Sequence, residues 1–171
     1  MKLNEIKKIN ESTEKNLLGL VIDGKEITKD TPNEVWIGDF SCYNNELKSL
    51  EYCPKEVHSD FNCSVNDLKT LEFCPVEVHG DFRCRNNQLK SLKGIHKQIH
   101  EMNGEINAYH NPITSHVIGI LLVKGCTKIY LDNSGVMNIL NKYLPNTSDM
   151  MSVLECQSEL LDVGFEEFAE L

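Results

Sequence analysis

Residues 38–50 read GDFSCYNNELKSL, residues 59–71 read SDFNCSVNDLKTL and residues 80–92 read GDFRCRNNQLKSL. Phe40, Phe61 and Phe82 therefore recur at a step of 21 residues, and so do Cys42, Cys63 and Cys84, then Asn45, Asn66 and Asn87. Leu47, Leu68 and Leu89 keep the same step, as do Leu50, Leu71 and Leu92. A unit this short cannot bury its own apolar face, so each copy must stack on the next. The chain is thus expected to form a tandem-repeat solenoid with a continuous, patterned outer surface.

Set against the leucine-rich template L-x-x-L-x-L-x-x-N/C-x-L, the first copy places Ile37, Phe40, Cys42, Asn45 and Leu47 on the required offsets. The expected fold class is therefore an α/β repeat solenoid, a leucine-rich-repeat stack of short parallel strands. A degenerate fourth copy keeps Ile106, Ala108, Asn111 and Ile113, with three residues inserted around Met102–Gly104. A fifth strand is expected over Lys128–Asp132, after a short helix over Ser115–Val123.

Two-residue alternation turns Phe40 and Cys42 inward and sends Asp39, Ser41 and Tyr43 outward, onto what should be the concave face. The other copies add Asp60, Asn62 and Ser64, then Asp81, Arg83 and Arg85, then Glu105, Asn107 and Tyr109, and finally Tyr130 and Asp132. The repeated asparagines should turn their amides inward to satisfy backbone groups. Pro54 and Pro75 fix an extended return path too short for a full helix.

The flanks divide the chain into an arm and cap over 1–34, repeats over 35–133 and a helical cap over 134–171. Leu3, Ile6 and Ile9 suit a short amphipathic helix, and Asp23-Gly24 a turn. Val136, Ile139, Leu140 and Tyr143 have helical spacing before Pro145. Asp149 can cap a second helix carrying Met150, Leu154 and Leu161, with Gly164 as its stop.

At 171 residues and 40% hydrophobic content, the chain suits one folded unit. A net charge of −9 argues against a nucleic-acid groove, which needs clustered Lys and Arg, and favours a protein partner. No stretch approaches the ~20 apolar residues of a membrane span and no export signal opens the chain, so cytoplasm is the expected compartment. Oligomeric state stays open, because the first strand near Trp36 could pair with another copy.

Two polar ladders bear on chemistry. Asp39, Asp60 and Asp81 recur in register and either accept backbone hydrogen bonds or attract a cation. His58, His79 and His100 repeat at the same 21-residue step, but a flat ladder matches a tetrahedron poorly, so no metal is expected. Five of the seven cysteines fall at repeat-equivalent positions and read as buried thiols without a catalytic partner. No phosphate loop or nucleophile elbow is present, and neither an enzyme nor a cofactor is expected.

GDFRCRNNQLKSL and LEFCPVEVHGDF resemble the short leucine-rich repeats of tailed, T4-like bacteriophages. VIGILLVKGCTKIYLDNSGVMNILNKYL and LECQSELLDVGFEEFAEL resemble the C-terminal block of such proteins. The resemblance covers Val35 to Leu171 and implies a non-enzymatic adaptor or inhibitor that binds a bacterial host protein, such as an antiviral component, in the host cytoplasm. Tyr43, Arg83, Arg85, Tyr109 and Tyr130 are the expected anchors. The repeats are also similar to those of secreted bacterial ubiquitin-ligase effectors, but the segment after them is too short for that catalytic domain. Ile9-Asn10-Glu11 before Ser12 resembles a capsid-targeting peptide cleaved between Glu11 and Ser12, which would instead imply packaging in the virion head.

Overall fold

The computed structural model describes residues 15–144 and 150–171. A hairpin of β1 (Val21–Ile22) and β2 (Lys25–Glu26) precedes a parallel-strand β-solenoid. Each of the first three turns contributes two short strands: β3 (Val35–Trp36) and β4 (Phe40–Ser41), β5 (Glu56–Val57) and β6 (Phe61–Asn62), β7 (Glu77–Val78) and β8 (Phe82–Arg83). In the fourth turn both tracks merge into one strand, β9 (Glu101–Asn107), against which β10 (Lys124–Tyr130) lies parallel. The order is β3-β5-β7-β9 along one track and β9-β8-β6-β4 back along the other. Phe40, Phe61, Phe82 and Ile106 are register partners, as the repeat requires.

Within the repeats, the structure differs from the sequence expectations in three details. Ile37, inward on the template, is 75% exposed, and the buried residue is its neighbour Trp36, followed by Val57, Val78 and Met102 in register. The segments after Pro54 and Pro75, expected only as extended chain, carry a second strand track. The insertion also falls elsewhere. Glu77 pairs with Glu101 and Phe82 with Ile106, both 24 residues on, so no residue is added between 101 and 106. The extra residues are taken up earlier, where α1 (Ile95–Gln98) forms a single helical turn after Leu92.

The interior is built from columns. The Phe61 ring centroid lies 5.7 Å from that of Phe40 and 4.9 Å from that of Phe82, and Trp36 meets Phe40 edge-on at 5.0 Å. Fully burying one such side chain stabilises the fold by about 2 to 3 kcal/mol. Beside the rings runs an asparagine ladder. Asn66 Nδ2 donates to Cys63 O within its rung and to Cys42 O in the rung before, each at 3.0 Å, while its Oδ1 accepts from Leu47 N at 2.9 Å. Asn87 and Asn111 repeat the pattern on Cys63 and Cys84, then on Cys84 and Ala108. The amides thus satisfy backbone groups that stacked strands leave unpaired where they bend into loops.

At one end, Leu17, Ile22 and Ile27 join the core near Trp36, and Asp23 and Gly24 both adopt positive φ in the hairpin turn, as a two-residue connection demands. At the other, a 3-10 turn (Ile118–Leu122) replaces the expected short helix, and α2 (Ser134–Tyr143) is capped by Asn133, whose side chain accepts from Val136 N. Asn141 of α2 both donates to and accepts from the Ile129 backbone at 2.8 Å, covering part of the β10 edge. In α3 (Met150–Asp162) the buried face is Val153, Cys156 and Leu160, so Met150, Leu154 and Leu161 are exposed instead of packed. Gly164, at φ 83°, ends that helix as expected. Leu3, Ile6, Ile9, Pro145 and Asp149 lie outside the described residues.

Candidate functional site

The residues flanking the buried columns form the outer face of the sheet. Register aligns Ser41, Asn62, Arg83, Asn107 and Tyr130 in one outward column. Two residues further along each rung lie Tyr43, Ser64, Arg85, Tyr109 and Asp132, of which Ser64 is buried.

Asp39, Asp60 and Asp81 run along the near edge of this face and stitch successive turns. The Oδ1 of each accepts the backbone N–H of the residue one turn on: Asp60 N at 3.2 Å, Asp81 N at 2.8 Å and Glu105 N at 3.0 Å. A Ser59 side-chain hydrogen bond, the Asp60 N–H and the charge of Arg83 together hold the Asp39 carboxyl below its ordinary pKa. The free oxygens meet Arg83, whose Nη1 lies 2.7 Å from Asp60 Oδ2 and whose Nη2 lies 2.8 Å from Asp81 Oδ2. Partial burial works against the Arg83 charge, yet the bonds and charges of these two carboxylates outweigh it and raise its pKa.

The two arginines therefore differ. Arg83 is a clamp across two turns, while Arg85 is exposed. Tyr43 is 46% exposed. Tyr109 and Tyr130 are half-buried with ring centroids 5.7 Å apart, and Tyr130 donates from its hydroxyl to Glu105 Oε2 at 2.9 Å. Asp132 lies 3.7 Å from His110 Nδ1. Asn62 and Asn107 turn back to accept from the backbone N–H two residues on, at Ser64 and Tyr109. Glu11 and Ser12 lie outside the described residues.

The histidine ladder is only two rungs long. With the insertion placed at α1, His100 falls out of register and Asn103 follows His79 along the strand track. His58 and His79 do stack, at 4.6 Å between ring centroids. Glu56, which the sequence reading passes over, joins them: its Oε1 is 2.6 Å from His58 Nε2 and 3.5 Å from His79 Nε2. The signal was present in the doubled Glu-Val-His triplet at 56–58 and 77–79.

All seven cysteines are free and buried. Burial pushes the thiols of Cys42, Cys84, Cys126 and Cys156 up to about 12, and lifts Cys53, Cys63 and Cys74 well above the ordinary range. They stay protonated at neutral pH, without the exposure that helps to activate a thiolate. No helix among the described residues is long and apolar enough to cross a membrane. The chain matches no protein-family profile, no curated protein and no solved structure.

Proposed function

We propose that the protein is a non-catalytic binding module of the leucine-rich-repeat type, encoded by a tailed bacteriophage. It acts as an adaptor or inhibitor of a bacterial host protein, such as a component of an antiviral system. In this reading 15–34 and 134–171 close the two ends of the stack, and the outer sheet face meets the partner. One observation carries it: the repeat splits into a fixed framework and a varied surface. Phe, Cys, Asn, Leu and Asp recur from turn to turn, while the outward columns change from Ser41 to Asn62 to Arg83 and from Tyr43 to Ser64 to Arg85. Stacking alone constrains the first set, and a specific partner accounts for the variety of the second. Tyr and Arg are the residue types that most often dominate such contacts. The net charge of −9 favours a partner with a basic patch.

The test is affinity purification of the tagged protein from phage-infected cells, scored by mass spectrometry, followed by Arg85→Glu and Tyr43→Ala variants. These side chains are exposed, so the variants should keep the wild-type melting temperature while binding the recovered host protein at least about tenfold more weakly. Arg83→Glu is unsuitable alone, because it also breaks the clamp to Asp60 and Asp81. Recovery of no host protein, or unchanged binding by both variants, would defeat the proposal.

A further inference from the structure

Glu56-Val57-His58 and Glu77-Val78-His79 are consecutive copies of one triplet. Both valines are buried, so strand alternation sends the Glu and His of each copy to the opposite, outer side. Parallel register pairs Glu56 with Glu77 and Val57 with Val78, so the two triplets stack without offset. Adjacent rungs stand about 4.8 Å apart, which sets the separation of like side chains. One ligand atom from each of Glu56, His58 and His79 lies within 4.8 Å of the other two.

The arrangement is not the flat row that three histidines in a line would make. Two imidazoles come from neighbouring rungs and the carboxylate from a different column, so the three donors form a triangle. In a tetrahedral zinc site with bonds of about 2.0 to 2.1 Å, donor atoms stand roughly 3.3 Å apart. The separations of 2.6 and 3.5 Å already bracket that spacing, and side-chain rotation closes the rest with the backbone register intact.

We infer that Glu56, His58 and His79 form a site for a divalent transition-metal ion of the zinc class, joining the second and third turns and leaving a fourth position open to water. Calcium and magnesium, which take oxygen ligands, are disfavoured by the imidazole pair. The site ends at these two rungs because Asn103 replaces histidine in the next. This inference stands apart from the protein-binding proposal, since it concerns the ion alone.

Full-length protein stripped with chelator and then freed of it should be titrated with Zn²⁺ against a chromophoric competitor, and with Co²⁺ to read the visible band of a tetrahedral site. One equivalent is expected to bind. His58→Ala and His79→Ala should each weaken it by at least about tenfold, and His100→Ala should leave it unchanged. Circular dichroism checks the fold, and Glu56→Gln, which keeps the side-chain shape, gives the same reading should an alanine variant unfold. Absence of a stoichiometric equivalent, or equal affinity in wild type and the His58→Ala/His79→Ala double variant, overturns the assignment.

Discussion

In the second and third turns a bend at Ser59 and at Gly80 separates the two strands, whereas in the fourth turn β9 runs unbroken from Glu101 to Asn107. The regular turns carry Phe and Cys at the core positions, and the fourth carries Ile106 and Ala108. Two features survive the change. Asn111 makes the bonds that Asn66 and Asn87 make, and Gly104 occupies the tight position of Gly80. Stacking thus tolerates a change of apolar side chain more readily than the loss of an amide that bridges rungs. The carboxylate ladder, by contrast, stops: Glu105 spends its side chain on the Tyr130 hydroxyl instead of on the next backbone N–H.

The largest effect expected from this contrast is alkaline. The thiols of the regular turns titrate higher when folded than the ordinary value of 9.0, so their contribution is intact below pH 9 and is lost as pH rises toward about 12. Each thiol adds a decline of roughly 1.4 kcal/mol per pH unit over that window. Urea unfolding at stepped pH should show it, and Cys63→Ala, which adopts the fourth-turn residue, should flatten the slope. An identical slope in that variant would place the alkaline loss elsewhere.

Next comes the amide ladder. Asn87→Ala leaves the buried N–H of Leu68 without a partner and takes one of two amide donors from each of the Cys63 and Cys84 carbonyls, which keep Asn66 and Asn111, at a cost of about 3 kcal/mol. Among the described residues, Asn45 in the first turn donates only within its own rung, to Tyr43 O at 3.0 Å. Asn45→Ala should cost about 1 kcal/mol. Equal losses in the two denaturation curves would show that bridging between rungs is not what the amide contributes.

A smaller loss is expected at the corner. A Cβ on Gly80 would stand 2.4 Å from Asp60 Oδ1 and 2.8 Å from the Ser59 carbonyl carbon, so Gly80→Ala should cost about 2 kcal/mol. Ser59, in the equivalent position one turn after Gly38, already carries a Cβ, so Ser59→Ala should cost only the hydrogen bond of its hydroxyl to Asp39, about 0.5 kcal/mol.

The smallest effect is a gain. Asn44, Val65, Asn86 and His110 all adopt φ between 53° and 58°, a region that suits Asn and penalises a β-branched residue. Val65→Asn should stabilise the protein by about 1 kcal/mol, read as a raised melting temperature. A lowered one would mean that the partly buried Val65 side chain contributes more than its backbone conformation costs.

The core columns were legible because Phe, Cys, Asn and Leu recur in step, and a stacked rung must present the same residue type to the same neighbour. The second strand track was harder to see. Its strands are two residues long, and Trp36, Val57 and Val78 differ enough that the exposed Ile37 fitted the template better. Placement of the insertion at Met102–Gly104 counted residues correctly and located them wrongly, since a helical turn at α1 absorbs them without disturbing the rungs on either side. The apolar face of α3 could not be chosen from spacing either: Met150, Leu154 and Leu161 are as well spaced as Val153, Cys156 and Leu160. Of the outer face, the membership was readable and the roles were not, for nothing in one rung reveals that Arg83 is held by carboxylates from its own turn and from the one before.

By itself the sequence determined that this chain stacks, with what period, and that its Phe, Cys and Leu columns face in, because repetition at fixed spacing leaves one way to pair identical rungs. Only the tertiary structure decided which neighbours those rungs bring together. It removed His100 from its ladder, set Glu56 between His58 and His79, and tied Arg83 while leaving Arg85 exposed. Such contacts run across turns, between residues some twenty positions apart, and depend on a register that a three-residue shift is enough to change.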